Sequence, residues 1–90
     1  MKTGETTDMD KQAVKDRVTK VTASVLRVDA GNIKPESNFI FDLGAESTQS
    51  VALIAAFEEE FDIDMDGEKA MEIQTVSGAV DFIYEYVKNK

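Results

Sequence analysis

Two valine-bearing stripes, one near each end of the chain, restrict the fold more than any other feature. Val14, Val18, Val21 and Val25 fall at i, i+4, i+7 and i+11, and Val76, Val80, Ile83 and Val87 repeat the same spacing. This is the period of one face of an α-helix, and the alternation expected of a half-buried strand is absent. Valine is a mediocre helix former, so each stripe must be held by packing against other elements. A third run carries Leu53, Ala56, Phe57 and Phe61 on one face and Ser47, Val51, Ile54, Ala55 and Glu58 on a second. With 90 residues there is room for one small domain with a thin core. The pattern predicts an all-α fold: a small four-helix bundle of three longer helices and a short helix 3, with a long loop between helices 1 and 2.

The expected boundaries follow from punctuation. Residues 1–8 are polar and aperiodic and read as a disordered tail, with the folded domain over residues 9–90. Helix 1 is expected from Met9 to Leu26, opened by a capping box of Thr7 with Asp10, and with Asp8 at the positive end of the helix dipole. Residues 27–46 have no helical period and contain Asp29, Gly31, Asn32, Pro35, Ser37 and Asn38. An irregular connection of about twenty residues is unusual in a compact domain and points to function. Ile33, Phe39, Ile40, Phe41 and Leu43 are available to pin it to the core, and Gly44 permits a tight turn before helix 2. Helix 2 should run from Ser47 to about Phe61. A short helix 3 fits Glu68–Ile73, and Thr75 is a candidate N-cap for helix 4.

Composition removes several classes of chemistry. The chain has no histidine and no cysteine. It therefore lacks the usual general base, any disulfide framework and any zinc–thiolate site, and a self-contained nucleophilic enzyme is not expected. No apolar run approaches the roughly 20 residues that span a bilayer, and Met1–Thr7 lacks the apolar stretch of a signal peptide, so a cytoplasmic protein without a membrane span is expected. The net charge is −8 and is unevenly placed: residues 1–34 hold seven Lys/Arg against five Asp/Glu, and residues 35–90 hold three against thirteen. That field disfavours nucleic acid and favours basic protein partners.

The chemistry concentrates at Asp42-Leu43-Gly44-Ala45-Glu46-Ser47. A serine at a helix start is ordinarily a cap, and Ser47 is expected to serve as one. It also follows a loop that must be held for a reason, and a phosphate on its oxygen would meet the free amides and dipole of a helix N-terminus. Nothing in the neighbouring sequence could activate the oxygen, since no lysine or arginine lies between Lys34 and Lys69. Ser47 thus reads as the substrate of another enzyme.

These six residues, followed by Glu58-Glu59-Glu60-Phe61, resemble the acyl carrier proteins, whose signature is D-L-G-x-D-S. The resemblance extends over roughly residues 9–88, including Phe39, Ile73, Thr75-Val76 and Asp81-Phe82-Ile83. It implies a non-catalytic carrier with 4′-phosphopantetheine attached covalently to Ser47 as a phosphodiester. Acyl groups would ride as thioesters on the arm's thiol, for fatty acid, lipid or polyketide-type biosynthesis. It implies an acyl pocket beneath the serine, for which Val51, Ile54, Ala55 and Phe57 are candidates, with Ala56 more simply read as core. It implies partners with basic docking surfaces, namely a phosphopantetheinyl transferase and acyl-loading and acyl-processing enzymes, meeting a monomer through Asp42, Glu46, Thr48, Val51, Glu58 and Glu59. Glu46 stands where the family usually has Asp, Thr48 where a large apolar residue is usual, and Ala52 where an acid is usual. Those departures suggest a specialised carrier.

Two alternatives stay open on the residues. One is a peptidyl, aminoacyl or D-alanyl carrier, although G-A-E-S is less like the G-G-H/D-S form of peptidyl carriers. The other is a helical calcium-responsive module without a prosthetic group. Asp62-x-Asp64-x-Asp66-Gly67 matches the first half of a calcium loop, but position 12 is Ile73 where a bidentate Glu is needed. Asp62, Asp64 and Asp66 remain candidates for weak divalent-ion binding, and no complete metal site is expected.

Overall fold

The computed structural model describes residues 10–88. They form four helices, α1 (Lys11–Leu26), α2 (Ser47–Phe61), α3 (Gly67–Met71) and α4 (Val76–Val87), with one 3-10 turn at Ala30–Asn32. α1 packs against both α2 and α4, and α3 leans on α2. This is the all-α bundle of three longer helices and one short helix that the periodicity predicts. The expected tail lies outside the described residues, as do Thr7 and Asp8, so of the expected capping box with Asp10 only Asp10 is described.

α1 begins at Lys11, where Asp10 caps it by accepting a hydrogen bond from the Ala13 amide at 2.8 Å. It ends where Arg27 takes a left-handed conformation, φ 58°, and its amide donates to the Ala23 carbonyl. The buried row is Val14, Val18, Thr22 and Leu26. Val21 and Val25, expected in the stripe, are half-buried at its flank. A helix covered by two others buries a row inclined to its own axis, and the i+4 row through Thr22 is that row. Thr22 is fully enclosed, and its Oγ1 has no hydrogen-bond partner.

The core of α2 is Leu53, Phe57 and Phe61, with Ala56 half-buried beside them. α4 buries Val76, Val80, Ile83 and Val87 as the stripe predicts, and adds Ala79. Thr75 Oγ1 caps α4 by accepting from the Gly78 amide at 3.1 Å. α3 starts at Gly67, one residue before the expected Glu68, and stops at Met71, short of Ile73.

The connection from α1 to α2 is irregular but well bonded. The Pro35 and Ser37 carbonyls accept the amides of Ser77 (2.8 Å) and Val76 (3.0 Å), and the Phe39 amide donates to the Gln74 carbonyl at 2.9 Å. Residues 35–39 therefore run beside the entry to α4, with Asn38 and Thr75 forming an isolated antiparallel bridge. Phe39 is buried, and Ile33 and Leu43 pack on the core edge. Ile40 and Phe41 do not pin the loop. They are 55% and 85% exposed, because the turn that follows Asn38 directs them outward. The loop is held by its own hydrogen bonds more than by its apolar side chains.

Candidate functional site

The chain is delivered to the start of α2 by a fixed path. Gly44 adopts φ +75°, in the left-handed region that an L side chain rarely takes, while its amide donates to the Ile40 carbonyl at 3.1 Å. The next residue, Ala45, is buried, and its amide donates to the Phe39 carbonyl at 2.8 Å. Glu46 then takes the N-cap position. Its amide donates to Gln49 Oε1 at 3.0 Å, in a capping box reaching across the first turn.

Ser47 is therefore the first helical residue and not the cap that the sequence pattern suggests. The long Glu46–Gln49 exchange occupies the capping role and leaves the serine oxygen unused. Ser47 is exposed, and its hydroxyl makes no hydrogen bond to any described residue. The amides of Ser47 and Thr48 have no carbonyl partner within the helix, and with the helix dipole they favour an anion at this end.

Ser47 stands on the rim of an apolar cleft of about 200 Å³. Leu53, Ile54 and Phe57 of α2 form one wall, Phe82 and Ile83 of α4 another, and Met65, Met71 and Ile73 close it from the α3 side. Of the four residues proposed for an acyl pocket, Ile54 and Phe57 line this cleft. Val51 and Ala55 are not among its lining residues, and both are exposed, Val51 at 58%. The missed lining residues come largely from α3, α4 and the loops beside them, whose placement relative to α2 is not readable from the α2 pattern alone.

The acidic residues differ in what they do. Asp42 Oδ2 accepts from the Asn38 amide at 2.7 Å and so closes the preceding turn. Glu58 is half-buried, and its Oε2 accepts from the Met65 amide at 2.8 Å, clamping the α2–α3 link. Glu60 is paired with Arg17 of α1 at 3.3 Å. Glu46, Thr48 and Glu59 are exposed. Two acids of the calcium-loop-like segment have structural uses. Asp66 spends its carboxylate capping α3, accepting from Glu68 and Lys69 amides at 3.1 and 3.3 Å, and Asp62 sits at the left-handed C-cap of α2. Among the described residues no three acids converge on a metal-sized site.

What remains is a serine with a free oxygen, no base to activate it, anion-friendly amides beneath it and an apolar cleft beside it. These features suit a phosphodiester-linked arm better than catalysis by the chain itself. They are the features of a carrier. The family model described as the phosphopantetheine attachment site matches residues 16–83. The acyl carrier protein of Picosynechococcus sp. is 47% identical over 74 residues, spanning 82% of this chain and 91% of the relative. The chain belongs to the acyl carrier protein family, and its prosthetic group is 4′-phosphopantetheine. Its role is to carry acyl groups, and a domain of this kind works with modifying and acyl-handling enzymes. Among the described residues no helix is long and apolar enough to cross a membrane.

Proposed function

We propose that Ser47 bears the phosphopantetheine and that the α2–α3–α4 cleft receives the acyl chain. One observation carries this reading: the exposed, unpartnered Ser47 hydroxyl lies on the rim of the apolar cleft. The arm, when attached, supplies the thiol on which acyl groups are held. The protein's own residues do the rest. Ser47 offers an accessible oxygen, the first-turn amides of α2 favour the linking phosphate, and Ile54, Phe57 and Met65 offer apolar surface that keeps water from a buried chain.

The docking face comprises Asp42, Glu46, Thr48, Val51, Glu58 and Glu59, of which Glu58 is half-buried and the others exposed. Its acidity suits basic entrances on a phosphopantetheinyl transferase and on acyl-loading and acyl-processing enzymes of fatty acid, lipid or polyketide-type biosynthesis. The protein acts as a cytoplasmic monomer, with residues 9–90 as its carrier domain. Glu46 and Thr48 flank the serine and differ from the usual pattern, and they make it a specialised carrier. Loading and elongation by a standard fatty acid synthase set at ordinary rates would refute that specialisation.

The attachment is tested by incubating the protein with coenzyme A and a broad-specificity phosphopantetheinyl transferase and measuring intact mass. Wild type gains one phosphopantetheine and Ser47→Ala gains nothing. An unchanged wild-type mass, or a gain by Ser47→Ala, overturns the assignment.

A further inference from the structure

Four large apolar side chains are exposed among the described residues: Ile40, Phe41, Val51 and Met71. They are not scattered. Ile40 and Met71 line the cleft whose rim holds Ser47, and Val51 follows Ser47 by one helical turn. Phe41 adjoins Ile40 and is the most exposed of the four, at 85%. Exposed apolar groups gathered at one functional end of a small domain mark a contact surface, whereas scattered ones do not.

Phe41 is also held in place. Asn38 Oδ1 accepts the amides of both Ile40 and Phe41 at 2.9 Å. The Asn38 carbonyl accepts the amides of Asp42 and Leu43 at 2.9 and 3.0 Å, and the Asn38 amide donates in turn to Asp42 Oδ2 at 2.7 Å. The Phe39 amide fastens the turn to Gln74. The ring is thus carried on a turn whose backbone is already ordered, so covering it loses little further chain entropy. Ordered, exposed aromatic rings are the side chains that dominate contact energies when a partner buries them.

Charge indicates what covers it. Asp42 and Glu46 lie between Phe41 and Ser47 in the chain, both exposed, and no Lys or Arg lies between Lys34 and Lys69. An anionic lipid surface would be repelled, and a second copy would bring another net charge of −8. A protein with a cationic rim is attracted. We infer that Phe41 is a docking anchor that seats in an apolar socket rimmed by Lys or Arg side chains on the phosphopantetheinyl transferase that modifies this carrier. This rests on Ser47 being the attachment point, and the two can fail separately.

The test measures docking without modification. Ser47→Ala and the double variant Ser47→Ala/Phe41→Ser are titrated against a broad-specificity phosphopantetheinyl transferase at low salt. The double variant should bind about 10- to 30-fold more weakly, as expected for loss of an aromatic anchor. Phe41→Leu in the same background should stay within about threefold of the parent, because it restores apolar contact. Thermal unfolding of Phe41→Ser should match wild type, since the ring contributes nothing to the core. Equal affinities of the two proteins, or no binding by Ser47→Ala, overturns the anchor. Wild-type self-association that Phe41→Ser abolishes also overturns it, by making a second copy the occupant. Whether wild type gains mass decides the Ser47 reading independently.

Discussion

Consider truncating Glu58 to alanine beside the same change at Glu59. The two are consecutive acids on α2, lying four and three residues before Asp62, and like-charge repulsion alone predicts that removing either would stabilise the fold by a few tenths of a kcal/mol. The structure separates them. Glu58 Oε2 accepts the Met65 amide at 2.8 Å in a half-buried setting, and Met65 is itself buried as part of the cleft wall. A hydrogen bond to a charged acceptor contributes about 1.5–3 kcal/mol, less where water reaches it, and its removal here strands the Met65 amide. Allowing for partial exposure and for the repulsion relieved, Glu58→Ala should lose about 1–1.5 kcal/mol. For a domain of this size each kcal/mol shifts Tm by roughly 4–8 °C. Glu58→Gln keeps an oxygen acceptor and should lose less than half as much. Glu59→Ala, at an exposed position, should stay within about 0.5 kcal/mol of wild type. Urea unfolding followed by circular dichroism measures all three. Equal effects of Glu58→Ala and Glu59→Ala, or stabilisation by Glu58→Ala, would refute the clamp and restore the repulsion account.

Thr22→Val removes a buried hydroxyl that has no partner while keeping the side chain's shape. Burying such a group costs about 1–3 kcal/mol by mutational measures, so the variant should be about 1 kcal/mol more stable, and a lower Tm would sink the argument. Gly44→Ala has open space around its new methyl group but must hold φ +75°. It should lose about 1–2 kcal/mol in thermal unfolding, and wild-type stability would mean that the turn can relax. Lys11 has its pKa raised above the ordinary 10.5, first by the hydrogen bond and then by the charge of Asp81, at 2.6 Å. A raised folded pKa contributes stability fully present below the unfolded value and lost as pH climbs through the folded one. The stability gap between wild type and Asp81→Asn should therefore be flat from about pH 7 to 9 and close only above 10.5, the ordinary lysine value. A gap that closes below about pH 9 would assign it to another group.

Some of this was legible in the chain itself. The α4 stripe and its Thr75 cap could be read directly, because a short amphipathic helix with one buried face carries its own pattern. The Ser47 signature and the absence of histidine and cysteine pointed to a handle modified from outside, because reactivity depends on which side chains exist at all. Other features depended on partners distant in sequence. Glu58, Glu59 and Glu60 look alike in a row, yet one is held by Met65, one pairs with Arg17 of another helix and one faces water. The cap of α2 is local too, yet it goes to Glu46 and not to the expected Ser47, because Gln49, three residues on, closes the capping box with the Glu46 amide.

Periodicity and the available chemistry are local, and the sequence alone determined them: four helices, a carrier without histidine or cysteine, and a serine at the entrance to the second helix. Burial and pairing are relations between segments, and only the tertiary structure decided them. The way α1 holds α2 and α4, with α3 against α2, placed Ile54 and Phe57 on the cleft and left Val51 and Ala55 outside it. The hydrogen bonds of the Asn38 turn put Phe41 in water, because a side chain's direction follows from how its backbone is bonded as well as from its hydrophobicity.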